Sequence, residues 1–277
     1  MAIRRDFEFT DKDFNRIRDL VKQHAGITLT EAKKDMVYSR LSRRLRHLGI
    51  TSFGEYCQLV EDETSGELVN FTNSVTTNLT AFFREQHHFD YLSTTLLPNL
   101  RRQKARNRRL RVWSAGCSTG EEPYSLAMTL LENLPSHEKW DVRILATDLD
   151  SNVLETAQRG IYNTDRIKGI SNQRLKRWFL KGKNNKEAVR VSPELQKLIS
   201  FKQLNLLRPW PFRGPFDFIF CRNVVIYFDK PTQKVLFERY ADMLEMNAHL
   251  FIGHSESLFK VTDRFKLMGQ TIYIRTR

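Results

Sequence analysis

The stretch LRVWSAGCSTGEEPYSLAMTL, residues 110–130, reads as strand, tight turn and helix. Leu110, Val112 and Trp113 are apolar and suit a buried strand. Every residue from Ser114 to Gly120 is small, with glycines at 116 and 120. Glu121, Glu122 and Pro123 suit a first helical turn: acids favour the positive end of the helix dipole, and proline loses nothing where an amide has no intrahelical partner. Tyr124, Ala127, Met128 and Leu131 follow at helical spacing. A loop of small residues between a strand and a helix lets a ligand approach the backbone, here at Gly116.

Such a loop is compatible with three roles. It can be a plain turn whose glycines serve chain geometry. Gly116-Cys117-Ser118-Thr119-Gly120 also fits the G-x-S-x-G elbow of a hydrolase, with Ser118 as nucleophile and Asp217 and His254 following in the expected order. Or the loop holds a nucleotide-like cofactor, whose ribose is gripped by an acid at the end of the next strand.

The 277 residues suffice for one large domain or two moderate ones. The longest apolar runs fall far short of the roughly 20 residues of a membrane span. The start, MAIRRDFEFT, has no apolar signal core, so a cytoplasmic location is expected. Cys57, Cys117 and Cys221 are scattered without C-x-x-C spacing, which fits reduced thiols and argues against a structural zinc. The net charge of +13 is spread along the chain and favours an acidic partner without naming one.

Thr10 suits an N-cap, Phe14, Ile17 and Val21 share a helical face, and Gly26 ends that helix. A second helix follows Thr30, with an apolar stripe of Val37, Leu41, Leu45 and Leu48. Arg40, Arg43, Arg44 and His47 lie on another face, either solvated or a docking surface. Ser52 opens a third helix with capping-box spacing to Glu55, and a fourth carries Leu68, Phe71 and Val75. Residues 1–75 therefore read as a helical N-terminal domain. Residues 76–100 form a polar linker, with either a helix start at Asn78 or Thr80 or a lid over a cleft, and then a helix from His87 to Leu100. The basic run RRQKARNRRLR, residues 101–111, opens the third unit, 101–277.

There the strand Val142–Asp148 ends in an acid, Ser151 suits a helix cap, and residues of about 160–200 break the pattern as a small inserted subdomain. Strands at 199–204, 216–221 and 250–253, with a helix from Pro231 to about Met246, resume the alternation of a doubly wound α/β sheet. The last two segments, around Phe265 and Tyr273, suit a hairpin at an antiparallel edge. Because helices precede the 116–120 loop, it follows the first strand of the sheet, whereas a hydrolase elbow comes after several strands. Asp148, Asn205 and Arg222 all fall at strand C-terminal ends, where open α/β sheets bind ligands.

The stretches TTNLTAFFRE, STGEEPYSLA, FCRNVVIYF and GHSES, in this order behind a basic helical domain, resemble the CheR-type chemotaxis receptor methyltransferases over nearly the whole chain. The resemblance implies an all-α N-terminal domain, a Rossmann-like methyltransferase domain with an inserted β-subdomain, and transfer of a methyl group from S-adenosylmethionine to glutamate side chains on cytoplasmic receptor helices, leaving S-adenosylhomocysteine and using no metal. By motif, Asn78, Thr80, Arg84 and Glu122 would contact the cofactor, Asp148 its ribose, and Asn205 and Leu206 its adenine. Arg222, Asn223 and Tyr227 would sit near the transferring methyl, Arg222 orienting the acceptor carboxylate and Tyr227 holding substrate or Arg222. Arg40, Arg43 and Arg44 become a docking face for acidic receptor helices. The nearest match to the G-x-G turn by which some family members are tethered to a receptor tail is Gly182-Lys183-Asn184. A monomer with no membrane insertion is expected.

The competing expectation is a nucleic-acid methyltransferase using the basic surface. An amino-group methylase needs acceptors for the amine, typically Asn/Asp-Pro-Pro-aromatic after the fourth strand; Arg222-Asn223-Val224 stands there instead, suited to an anion. No nucleic-acid partner is therefore expected. Ser118→Ala separates elbow from cofactor loop. Methyl transfer should stay within a few-fold of wild type in a labelled-methyl assay. A fall of several orders of magnitude with cofactor binding intact would restore Ser118 as nucleophile.

Overall fold

The computed structural model describes residues 6–182 and 187–277. Lys183 and Asn184 of the turn named above lie outside the described residues. Four helices come first: α1 (Asp11–Ala25), α2 (Lys34–Leu48), α3 (Phe53–Glu61) and α4 (Glu67–Val75). Thr10 and Asp13 close a reciprocal capping box on α1, and Ser52 caps α3 through the Glu55 amide. Phe14, Ile17, Val21, Val37, Leu41 and Leu45 meet Phe53, Tyr56 and Phe71 in one buried core. Leu48 is only partly buried at its edge.

The basic face of α2 is corrected by this packing. Arg44 forms a two-bond ion pair with Glu67 of α4, both at 2.6 Å, and the Tyr56 hydroxyl donates to the same carboxylate at 2.9 Å. Glu67 is 5% exposed there and Arg44 21%. Arg40 turns its guanidinium onto the carbonyls of Val75 (3.2 Å) and Thr76 at the end of α4. Helix C-termini present unpaired carbonyls, and a cation there also complements the dipole. Only Arg43, with Arg46 and His47, stays exposed.

Residues 76–85 are irregular, and the next helix starts at Gln86 rather than at Asn78 or Thr80. It runs as α5 (Gln86–Tyr91), a π-helical turn (Leu92–Leu96) and α6 (Leu97–Gln103). The wider turn explains how Pro98 is tolerated: in a regular helix its ring would press on the Thr94 carbonyl. The sheet then begins with β1 (Arg109–Ala115), α7 (Glu121–Asn133), β2 (Asp141–Asp148) and α8 (Ser151–Arg159). Asp150 rather than Ser151 caps α8, its carboxylate accepting from the Asn152 and Val153 amides. The insertion holds β3 (Ile161–Asn163), α9 (Asn172–Trp178), β4 (Phe179–Lys181) and β5 (Ala188–Val191) as an antiparallel sheet ordered β3-β5-β4.

The chain returns through α10 (Pro193–Gln196), β6 (Ile199–Gln203), β7 (Phe216–Cys221), α11 (Lys230–Met243), β8 (Leu244–Ile252), β9 (Phe265–Gly269) and β10 (Ile272–Arg275). Helix α11 stops short of Met246 because Leu244 already pairs with Phe216 in the sheet. Strand order is β6-β2-β1-β7-β8-β10-β9. The first five are parallel, and the β9–β10 hairpin adds an antiparallel edge in which β10 pairs with β8. Period-2 alternation divides the core. Val112, Phe218 and Phe220 face α5–α7, and Trp113, Ile219 and Cys221 face α11. The order reverses between β1 and β7, so the crevice that binds ligands in such sheets opens at their C-terminal ends.

Breaking a buried ion pair strands the remaining charge. Arg44→Ala should therefore cost about 3 kcal/mol of unfolding free energy. Arg43→Ala, on the exposed side, should change it by less than about 0.5 kcal/mol. Urea unfolding of both variants checks this; equal small effects would mean the Glu67 pair contributes nothing.

Candidate active site

A cleft of about 1170 Å³, open solvent included, lies at the C-terminal ends of β1, β2, β6 and β7. The linker roofs it with Thr76–Thr80 and Arg84. All ten residues expected to contact a cofactor line it: Asn78, Thr80, Arg84, Gly116, Glu122, Asp148, Asn205, Leu206, Arg222 and Asn223, with Tyr227 beside them. Arg40, Arg43 and Arg44 do not.

The 116–120 loop forms the floor. Gly116 has φ 89, and a Cβ there would stand 2.3 Å from Val224 Cγ2 of the turn after β7, so a side chain is excluded. The Gly116 and Cys117 amides donate to the Thr147 carbonyl of β2, at 2.8 and 2.9 Å. Ser118 is no nucleophile here. Its hydroxyl donates to the Asn78 carbonyl (2.9 Å), Asp217 pairs with Lys104 near the start of β7, and His254 bonds to Glu85.

Asp148 ends β2 at the cleft wall. Its carboxylate accepts from the Ser118 amide at 2.8 Å and the Asp150 amide at 3.0 Å. Burial pushes its pKa up to about 6, against the pull of those amides. Asp150, 3% exposed, takes the Thr76 hydroxyl (2.9 Å) and the Asn78 amide (2.7 Å) on its second oxygen. The linker is thus pinned at its near end, and the Asn78 side chain acts there on protein.

Arg222 leaves β7 with a side chain only 2% exposed. Its Nε donates to Glu122 at 2.7 Å, while the other Glu122 oxygen accepts from Ser114. Its Nη1 donates to the Arg84 carbonyl (2.5 Å) and to His88 Nδ1 (3.2 Å). Burial and then the neighbouring Arg222 push the His88 pKa down to about 3, so the ring is neutral and donates from Nε2 to the Gln270 carbonyl. Arg222 is therefore held by protein on two of its nitrogens while it lines the cleft. Among the described residues Glu85, His87 and His88 have metal-ligating proximity. The cation that Glu85 and His88 meet is the Arg222 guanidinium, 3.5 Å from Glu85 Oε2 and 3.2 Å from His88 Nδ1.

Two features escaped the sequence. The helical domain supplies one wall: Ala25, Ile27, Thr28, Leu29 and Met36 line the cleft. Asn205 donates to the His24 carbonyl (2.7 Å), so its amide fastens α1 while its flank faces the cleft. The Thr28 amide donates to the Tyr227 carbonyl at 2.8 Å. Gly26 lets that segment close on Leu207, since a Cβ would lie 1.9 Å from its Cδ1. The second feature is Glu256 in GHSES, 5% exposed, whose carboxylate accepts the amides of Asn223 (3.0 Å), Ile226 (3.2 Å) and Gly253 (2.6 Å). It shapes the turn on which Arg222, Asn223 and Tyr227 sit; the only sequence signal was the glutamate within that motif.

The basic run 101–111 ends inside β1, its last residue Arg111 five residues, about 16 Å, before Gly116 of the loop that floors the cleft. Arg101 pairs with Glu138, Lys104 with Asp217 and Glu245, and Arg111 with Asp141. It offers no support for a nucleic-acid substrate at the cleft.

A Rossmann-like sheet, a glycine-floored loop, a strand-end acid and a roofed cleft define an S-adenosylmethionine-binding methyltransferase. Residues 12–76 match the model of the CheR methyltransferase all-alpha domain and residues 78–274 that of the CheR methyltransferase SAM binding domain. The chain is 47% identical over 268 residues to the chemotaxis protein methyltransferase of Escherichia coli, covering 95% of this chain and 91% of that one. It is 46% identical to chemotaxis protein methyltransferase 2 of Pseudomonas aeruginosa, covering 97% and 94%. The chain belongs to the CheR methyltransferase family. No helix among the described residues is long and apolar enough to cross a membrane.

The residues lining the cleft fit the cofactor: Asp148 would offer a carboxylate to ribose hydroxyls, and Gly116 leaves backbone open to close approach. An acid that must stay ionised to accept those donors loses affinity as it is protonated. Cofactor binding should therefore weaken about tenfold per pH unit below about 6. Asp148→Asn should bind weakly at pH 7.5 and lose that slope. Calorimetry from pH 5 to 8 checks both; a flat wild-type profile would remove Asp148 from the ribose.

Proposed function

We propose that this chain methylates glutamate side chains of chemotaxis receptors, giving methyl esters. S-Adenosylmethionine, when bound, supplies the methyl group. The protein's work is positional. A glutamate carboxylate, with an ordinary pKa of ~4.3, is ionised at neutral pH, so no general base is required. What it needs is a grip that holds one oxygen in line with the methyl.

The observation that carries this is the surroundings of Tyr227. Burial, with Glu256, raises its pKa, while the charges of Arg84 and Arg40 and the Thr77 side chain oppose that shift. Tyr227 and Arg84 both line the cleft, and a phenol donor near guanidinium charge suits an anionic acceptor and disfavours a cationic one. In this proposal Tyr227 and Arg84 hold the carboxylate, and Arg222 positions Arg84 through its carbonyl. Asp148 takes the ribose, Asn205 and Leu206 flank the adenine, and Asn78, Thr80, Glu122 and Asn223 complete the cofactor pocket. Arg43 is the member of the α2 face left free to meet acidic receptor helices.

The test is transfer of labelled methyl to cytoplasmic receptor fragments. The label should be released by mild base as methanol and should fall when acceptor glutamates are replaced by alanine. Tyr227→Phe should lower kcat by about ten- to a hundredfold while cofactor affinity holds. Base-stable label, or equal labelling of the glutamate-free fragment, would contradict the proposal.

A further inference from the structure

Resting on the methyl-transfer reading above, we propose that Glu85 and His254 form a latch that closes the transfer end of the cleft, acting as positioning residues. Glu85 ends the linker with φ 56 and ψ 61, and Phe83 just before it has φ 55. Non-glycine residues enter this left-handed region at a steric cost, so two within three positions mark a backbone held from outside. The holders are identifiable. The Phe83 amide donates to Ser125 Oγ of α7 at 3.0 Å, and Arg222 takes the Arg84 carbonyl. Glu85 Oε1 accepts from the His254 amide at 3.2 Å and lies 2.8 Å from His254 Nδ1, which must carry the proton of that bond.

His254 belongs to the loop after β8, the loop that Glu256 fastens to the turn after β7. The Glu85–His254 pair therefore closes a ring: linker end, β7 turn and β8 loop. The carboxylate is 9% exposed and the imidazole 66%, so the acid points inward and the histidine covers it from the rim. Fixing Oε1 also aims Oε2, which has no hydrogen bond, toward Arg222 Nη1 at 3.5 Å. Against the upward push of burial, His254 and Arg222 hold the Glu85 carboxyl below the usual range.

The linker is held separately at its two ends. Its near end is bound through Asn78 to Asp150 and Ser118; at its far end the latch acts beside the Phe83–Ser125 and Arg84–Arg222 bonds, with the Asn223 side-chain amide 3.5 Å from the same Glu85 oxygen, Oε1. Between them Leu79 is 77% exposed, and Arg84 Nη1 reaches back to the Leu79 carbonyl at 2.8 Å. Opening the latch frees Arg84 beside Tyr227 and leaves the Asp148 end intact. The effect belongs to alignment of the acceptor, not to cofactor affinity.

The experiment is amide hydrogen exchange on the full chain without cofactor, for wild type, His254→Ala and His254→Gln, the last retaining a side-chain N–H. Exchange across 79–85 should accelerate about tenfold in His254→Ala, nowhere else, and return toward wild type in His254→Gln. In methyl transfer, His254→Ala should lose about tenfold in kcat with KM for the cofactor within about threefold. Unchanged exchange, acceleration throughout the protein, or a loss confined to cofactor KM would overturn the latch. Should wild type transfer no methyl to receptors, the exchange data still decide the latch, and only the proposed function fails.

Discussion

A buried guanidinium beside a buried carboxylate is the constraint on which this site depends. Arg222 closes β7 and Glu122 opens α7, and their bond spans the point where the sheet reverses its order. Taking both charges out of water is costly unless every remaining donor and acceptor finds a partner. Here Ser114 of β1 satisfies the second Glu122 oxygen, and the Arg84 carbonyl and neutral His88 receive Nη1. The requirement to satisfy one cation thus draws a strand, a helix, the linker and α5 to the same place. The cleft is what remains between them.

Much of this was legible before any coordinates. Periodicities of 3.6 and 2 identified the helical domain, the alternating sheet and the irregular insertion. Gly116 and Asp148 followed from spacing alone, because a small-residue loop and a strand-end acid are local features. Asn205 and Arg222 followed from their places at strand ends, and the remaining cleft residues came from the family resemblance, since nothing in Asn78 or Tyr227 taken singly marks a site. What failed did so for a consistent reason. Arg44 looked available for docking because Glu67 lies 23 residues away in sequence and only the fold brings it within 2.6 Å. Asp150 displaced Ser151 as cap because linker and helix share its two oxygens.

The same limit hid the helical domain's part in the cleft. The Asn205 bond to the His24 carbonyl spans 181 positions, and no pattern along the chain announces it. Glu256 was equally silent, because its partners are backbone amides, which every residue carries, and Glu85 because His254 lies 169 positions away. The net charge of +13 was the least informative signal. In the run at 101–111, Arg101, Lys104 and Arg111 pair with acids of the protein itself at the other end of the sheet, leaving the cleft to specific arrangements of acid and guanidinium.

The most direct test of the Arg222–Glu122 constraint is urea unfolding of Arg222→Met, Glu122→Gln and the double variant. Each single change leaves a buried charge without its partner, so Arg222→Met should lose about 3 kcal/mol or more. The double variant removes both charges and should be more stable than Arg222→Met. Losses that simply add would show that the two side chains act independently and would contradict the account.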